Sequence, residues 1–256
     1  MRWAIKSIEW SAAVAKMSGD VLPYVTHAVL PDLPSTDAQV RSEFRSTVPR
    51  SNRIETAAIN QMNRDSYLSK VLAIGSHSDS VLVVGGNKKY ERNLLATPDA
   101  IEMMCRSAAP EYPSLWAVLD PNCPNSIEDA YRKYDAGASR FITQPILSSR
   151  GFEALQRYPQ PTQDDALVYV AGVAFPKTIK GLLFWESLLS PYCDLENDYL
   201  FRDHCAYFSS ADADPTAWVE RQLAMLATRT DAVDGLHFMP LQNVNSAMKV
   251  ISSLEE

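Results

Sequence analysis

The sequence predicts an α/β fold of the closed (β/α)8 kind, a TIM barrel, with residues 1–256 as one domain. Three observations carry that expectation. The length of 256 residues suits one barrel of about 250 residues. Short apolar runs rich in β-branched residues alternate with longer stretches of helical spacing, as parallel βα units require. The apolar runs number about eight, which is what closure of the barrel needs.

In chain order the strands are expected at Ile5 to Trp10, Val21 to Val29, Ile54 to Asn60, and Val81 to Gly85. The other four are Leu115 to Leu119, Phe141 to Gln144, Leu167 to Phe175, and Gly235 to Leu241. IETAAIN, the third, also has a composition that could open a helix. Helices are expected at TDAQVRSEFRS, DSYLSKVLAIGS, TPDAIEMMCRSA, SIEDAYRKYDAG and DPTAWVERQLAMLATRT. Start signals support several of them. Thr97 before Pro98 and Asp214 before Pro215 place a capping side chain ahead of a proline in the first turn. Ser126 with Asp129 resembles a capping box, and Gly137 is placed to end that helix. Ser190 to Asp214 is long and mixed, the composition of a lid or an irregular helix.

Composition limits the function. Apolar residues make up 46% and charged residues 21%, values ordinary for a soluble globular enzyme. A net charge of -7 argues against a phosphate-tracking surface, so no nucleic-acid partner is expected. Cys105, Cys123, Cys193 and Cys205 contain no CxxC pair, so neither a metal site nor a disulfide framework is expected, and they read as reduced thiols. The start MRWAIKSIEW lacks the apolar core of a signal peptide, and no run has the length of a membrane span. A cytoplasmic protein with no membrane partner is the expectation, and a homo-oligomer is compatible with it.

In a barrel, chemistry sits at the carboxyl ends of the strands. Thr143 and Gln144, in DAGASRFITQPI, bring an amide to such an end, and an amide both donates to and accepts from a heterocycle edge such as a pterin. Glu9 is the acid of an otherwise apolar first strand, and a partly desolvated carboxyl there suits a general acid. Other candidates are Thr26 in LPYVTHAV, His237 in DGLHFMPLQN, and Phe175 in AGVAFP. Each has a plainer reading. Gln144 also suits a loop amide bonded to backbone, Glu9 a solvated edge residue, Lys133 a solvated helix lysine, and His237 and Phe175 core.

The run YRKYDAGASRFITQ resembles the helix-to-strand segment of the methylenetetrahydrofolate reductases. The resemblance implies a reductase that takes tetrahydrofolate derivatives as substrate and hydride from NAD(P)H. It makes Gln144 the folate-contacting glutamine, Glu9 the acid that protonates the folate ring nitrogen, and Thr143, Phe175 and His237 further substrate contacts. It places Thr26, Gly86, Asn87 and Lys133 at the cofactor. The likeness breaks where flavin should lie. The family's leucine-arginine-glycine-aspartate at the fourth strand is Val84, Gly85, Gly86 and Asn87 here, with Lys88 and Lys89 as the nearest replacement charges. Its tyrosine-proline-glutamate after the fifth is Leu119, Asp120, Pro121 and Asn122. FAD is therefore in doubt. A folate-dependent methyl transferase or demethylase without redox chemistry, and a non-catalytic folate-binding barrel, are the alternatives.

Overall fold

The computed structural model describes residues 3–32, 36–59, 62–85, 95–107, 112–160, 167–189, 193–229 and 232–254. Its strands are β1 (Ile5–Glu9), β2 (His27–Leu30), β3 (Arg53–Ala58), β4 (Ser80–Val84), β5 (Ser114–Leu119), β6 (Arg140–Pro145), β7 (Val168–Ala174) and β8 (Gly235–Met239). Each pairs in parallel with the next, and β8 returns to β1 to close the barrel. Helices α1 (Ala12–Ala15) and α2 (Ser18–Val21) follow β1, then α3 (Ala38–Thr47), α4 (Arg64–Gly75), α5 (Thr97–Ser107), α6 (Ser126–Asp135) and α7 (Ser149–Arg157) each follow the next strand. After β7 come α8 (Ile179–Leu189), α9 (Tyr199–Phe208) and α10 (Pro215–Arg229), and α11 (Val244–Ser253) follows β8. The fold is a (β/α)8 barrel.

Strand alternation divides the side chains into two sets. Val29, Ile54, Leu82, Trp116, Ile142 and Val170 pack together inside the barrel. Ile8, Trp10, Leu30, Phe141 and Phe238 point outward into the layer shared with the helices, where Trp10 meets Phe44 of α3 edge-on at 5.4 Å. Toward the amino ends of the strands, Trp116 fills the lumen with His27 edge-on at 6.0 Å and the Arg140 guanidinium 5.8 Å from its ring. The lumen is thus a packed core, and in barrels of this kind chemistry sits at the carboxyl ends of the strands.

Several expected details are corrected. The second strand is shorter than expected, because Val21 ends α2 and Leu22–Tyr24 form a 3-10 turn around Pro23, which has no N–H to give to a ladder. Thr97 and Ser126 are the first helical residues rather than caps. The Ser126 hydroxyl instead lies 3.2 Å from that of Tyr158. Asp214 does cap, accepting from the Thr216 N–H at 2.8 Å, and Gly137 takes the left-handed φ of 106° that ends α6. Within Ser190 to Asp214 the chain forms α9, capped by Asp198. Cys123 and Cys193 are not free thiols, for the structure joins them in a disulfide. Sequence spacing concealed this pair, since they are 70 residues apart and only the barrel brings their loops together.

Candidate active site at the barrel mouth

Glu9 is the last residue of β1 and shares the inward face with Ser7, whose hydroxyl lies 2.9 Å from Nδ1 of His237. Burial alone pushes the Glu9 carboxyl up to about 7. A group so placed holds a proton near neutrality and can give it up, which is what a general acid needs. His237 lies one step deeper, where burial lowers its pKa to about 3 and keeps the ring neutral. It supports the floor beneath Glu9 through the Ser7 hydroxyl.

Gln144 lies near the carboxyl end of β6 and is half-buried. Its side-chain amide makes no hydrogen bond among the described residues. The backbone around it is shaped by a register shift between β6 and β7, falling between Ile142 and Pro145. Thr143 holds that irregularity. Its hydroxyl donates to the Gln144 carbonyl at 2.8 Å and accepts from the Gly172 N–H at 2.9 Å. Such bulges re-aim a side chain at a barrel rim.

The remaining expected residues lie apart from this pair. Thr143 is fully buried with its hydroxyl committed to backbone, so it positions Gln144 and presents nothing to a ligand. Phe175 is 2% exposed and faces outward, 6.0 Å from Phe238. Thr26 precedes β2, at the opposite end of the barrel from Glu9, where its hydroxyl accepts from the Lys6 N–H at 3.1 Å and donates to the Lys6 carbonyl at 2.9 Å. Lys133 is buried on α6 and gives its ammonium to the Val118 carbonyl at 2.7 Å and to Asp129. Gly86, Asn87, Lys88 and Lys89 lie outside the described residues. A cleft of about 480 Å³ beside His27, Val48 and Pro49 opens at the amino end of the strands. That end of a barrel serves stability rather than chemistry.

A solved structure shares this barrel. It is an uncharacterized protein from Clostridium thermocellum that binds two copies of 5-methyl-5,6,7,8-tetrahydrofolic acid. The match covers 99% of this chain and 96% of that one, with a TM-score of 0.63 and 12% sequence identity, a likeness of fold. No protein-family model matches the sequence, and no curated protein matches it. Among the described residues no helix is long and apolar enough to cross a membrane.

Two groups at the mouth escaped the sequence. Just beyond β2, Asp32 accepts from the Ala58 N–H at 3.0 Å and is bridged to Arg41 at 3.1 Å and to Lys70. Burial works to raise its pKa, and the Lys70, Ala58 and Arg41 contacts overcome this, so the net shift is downward. Beyond β5, Asn122 is fully buried and ties two loops together. Its amide donates to the Pro145 carbonyl at 2.8 Å, while its oxygen accepts from the Leu147 N–H at 2.9 Å. A polar residue after a predicted strand was the available signal in both cases. Glu55, the other strand acid, faces outward and is spent on Arg45 at 2.8 and 3.0 Å.

Proposed function

We propose that the mouth of this barrel binds a reduced folate and that the protein reduces a methylene-folate with hydride from NAD(P)H. The observation that carries the proposal is that the carboxyl ends of β1 and β6 bring to one rim Glu9, whose carboxyl burial pushes up to about 7, and Gln144, whose amide has no hydrogen-bond partner among the described residues. Gln144 offers a donor and an acceptor to the pterin edge. Glu9 delivers its proton to the ring nitrogen that carries the one-carbon bridge, and opening of the bridge leaves an electrophilic iminium carbon. The barrel neighbour that binds 5-methyl-tetrahydrofolic acid supports a folate as the ligand class. A nicotinamide would supply the hydride, and Val84 and Val118, half-buried at the strand ends, offer it an apolar face.

The described residues do not suit a flavin in the place where the family holds one. Among the described residues, the ends of β4 and β5 present Val84, Gly85, Val118 and Asp120, an apolar and acidic set with no cation for a flavin phosphate. Lys133, the nearest cation expected there, is engaged by Val118 and Asp129. Freshly purified protein is therefore expected to lack the visible absorption of bound flavin. A stoichiometric yellow chromophore that survives dialysis would overturn this.

The direct assay is oxidation of NADH or NADPH by wild-type protein in the presence of methylene-tetrahydrofolate. No turnover with either, in protein that binds folate, would favour the non-redox alternatives. Gln144→Ala is expected to weaken reduced-folate binding by about 1 to 3 kcal/mol, the penalty for leaving a buried polar group of the ligand unpaired. Calorimetry checks it, and an unchanged affinity in a folded variant would remove Gln144 from the site.

A further inference from the structure

We propose that Cys123 and Cys193 form a reversible thiol–disulfide site on the rim of the barrel, one that exchanges with low-molecular-weight thiols. The inference does not depend on the folate reading. Cys123 lies in the loop after β5 and is partly exposed, whereas Cys193, in the segment after α8, is 2% exposed. An incoming thiolate therefore reaches the Cys123 sulfur first. Attack there forms a mixed disulfide on Cys123 and expels Cys193 as thiolate, which takes up a proton. A second small thiolate then attacks the small-molecule sulfur of the mixed disulfide, releasing the oxidised small disulfide and the Cys123 thiolate, which is protonated in turn. Two small thiols are oxidised and one protein disulfide is reduced to two thiols.

The surroundings satisfy both states. A disulfide has no S–H to donate, yet acceptors stand at both sulfurs. The Asp120 carboxylate is 3.3 Å from the Cys123 sulfur and 3.5 Å from that of Cys193, and the Leu189 carbonyl is 2.8 Å from Cys193. After reduction each thiol has an acceptor close at hand, reached by the small side-chain rotation that separates the two sulfurs. A bond serving only to staple the fold needs no such acceptors. The bond also reaches the candidate site through the chain it anchors. Asp198, five residues after Cys193, accepts from the Ser149 N–H at 3.0 Å and from its hydroxyl at 2.6 Å, fixing the start of α7 just beyond Gln144.

The test counts thiols in folded protein by alkylation and mass spectrometry. Protein equilibrated with oxidised glutathione should take neither label nor glutathione at Cys123 and Cys193, and protein held in excess dithiol should take label at all four cysteines, the two unpaired ones Cys105 and Cys205 included, with an unchanged circular dichroism spectrum. In Cys193→Ser, oxidised glutathione should add to Cys123. In Cys123→Ser, addition to the buried Cys193 should be at least about tenfold slower. Failure of folded wild-type protein to gain label under dithiol would make the bond purely structural and overturn the proposal. Four labels under oxidised glutathione would overturn it as well. So would a stoichiometric divalent metal that is lost in Asp120→Asn, because Asp120, Cys123 and Cys193 would then be its ligands.

Discussion

Glu9→Gln is expected to lower kcat for reduction of methylene-folate at least about 100-fold while leaving folate affinity within a few-fold, because a positioned acid contributes on the order of 100 to 10,000-fold to such a step. Gln keeps the size and the hydrogen-bonding capacity of Glu and removes only the proton. In wild type the acid form of Glu9 prevails below about 7, so kcat/KM should fall as pH rises through that value. The variant should lose this limb of the profile. Stability gives an independent reading. The folded-state pKa lies above the ordinary carboxyl value of 4.5, so folded protein holds the proton more firmly than unfolded protein does. The stabilisation is complete below about 4.5 and is lost as pH rises to about 7. At pH 8 Glu9→Gln should therefore unfold at a higher denaturant concentration than wild type, by on the order of 2 kcal/mol after allowance for the partial exposure of the carboxyl. At pH 4 the two should converge. A variant that turns over within a few-fold of wild type would end the acid role, and equal stability at pH 8 would mean that the carboxyl is not desolvated.

Gly172→Ala should damage both fold and site. A Cβ at Gly172 would press on the Thr143 carbonyl and lie 2.7 Å from the Gln144 carbonyl carbon. These are backbone atoms that cannot swing aside, so β6 and β7 must separate where Thr143 bridges them. Overpacking of this kind costs about 1 to 3 kcal/mol, visible as a shift of the denaturation midpoint. Because the displaced backbone carries Gln144, folate affinity should fall by at least as much as in Gln144→Ala. Retention of wild-type affinity and stability would show that the bulge does not position the amide.

The strands were legible because their signal is local. VLVVG, LWAVL and FITQ are runs rich in β-branched or aromatic residues that read as buried parallel strands, and each lies within a residue of the strand observed. The second strand starts later than its composition suggests, because VLPYV has a strand-like composition while Pro23 turns it, and Thr26 therefore stands at the amino end of the barrel rather than at the end of a strand. The expected helices omit α7, SRGFEALQR, as well as α8 and α11, IKGLLFWESLL and VNSAMKVISS. Of the last two, α8 is apolar nearly all round and α11 is rich in poor helix formers, so packing on the barrel rather than propensity fixes them. Glu9 and Gln144 are legible in the sequence as strand-end polar residues, because each interrupts an otherwise apolar run, and the structure places both at the carboxyl ends of their strands. The Cys123–Cys193 bond, the Asp32 cluster and the Asn122 tie join segments far apart in sequence, and barrel closure alone brings them together.

Folate recognition at the rim is the claim on which the chemistry rests, and a calorimetric titration of wild-type protein with 5-methyl-tetrahydrofolate tests it most directly. Saturable binding is expected, weakened about five- to 150-fold by Gln144→Ala, which corresponds to 1 to 3 kcal/mol, and little changed by Glu9→Gln. Absence of binding by folded wild-type protein, or binding that Gln144→Ala leaves untouched, would contradict it.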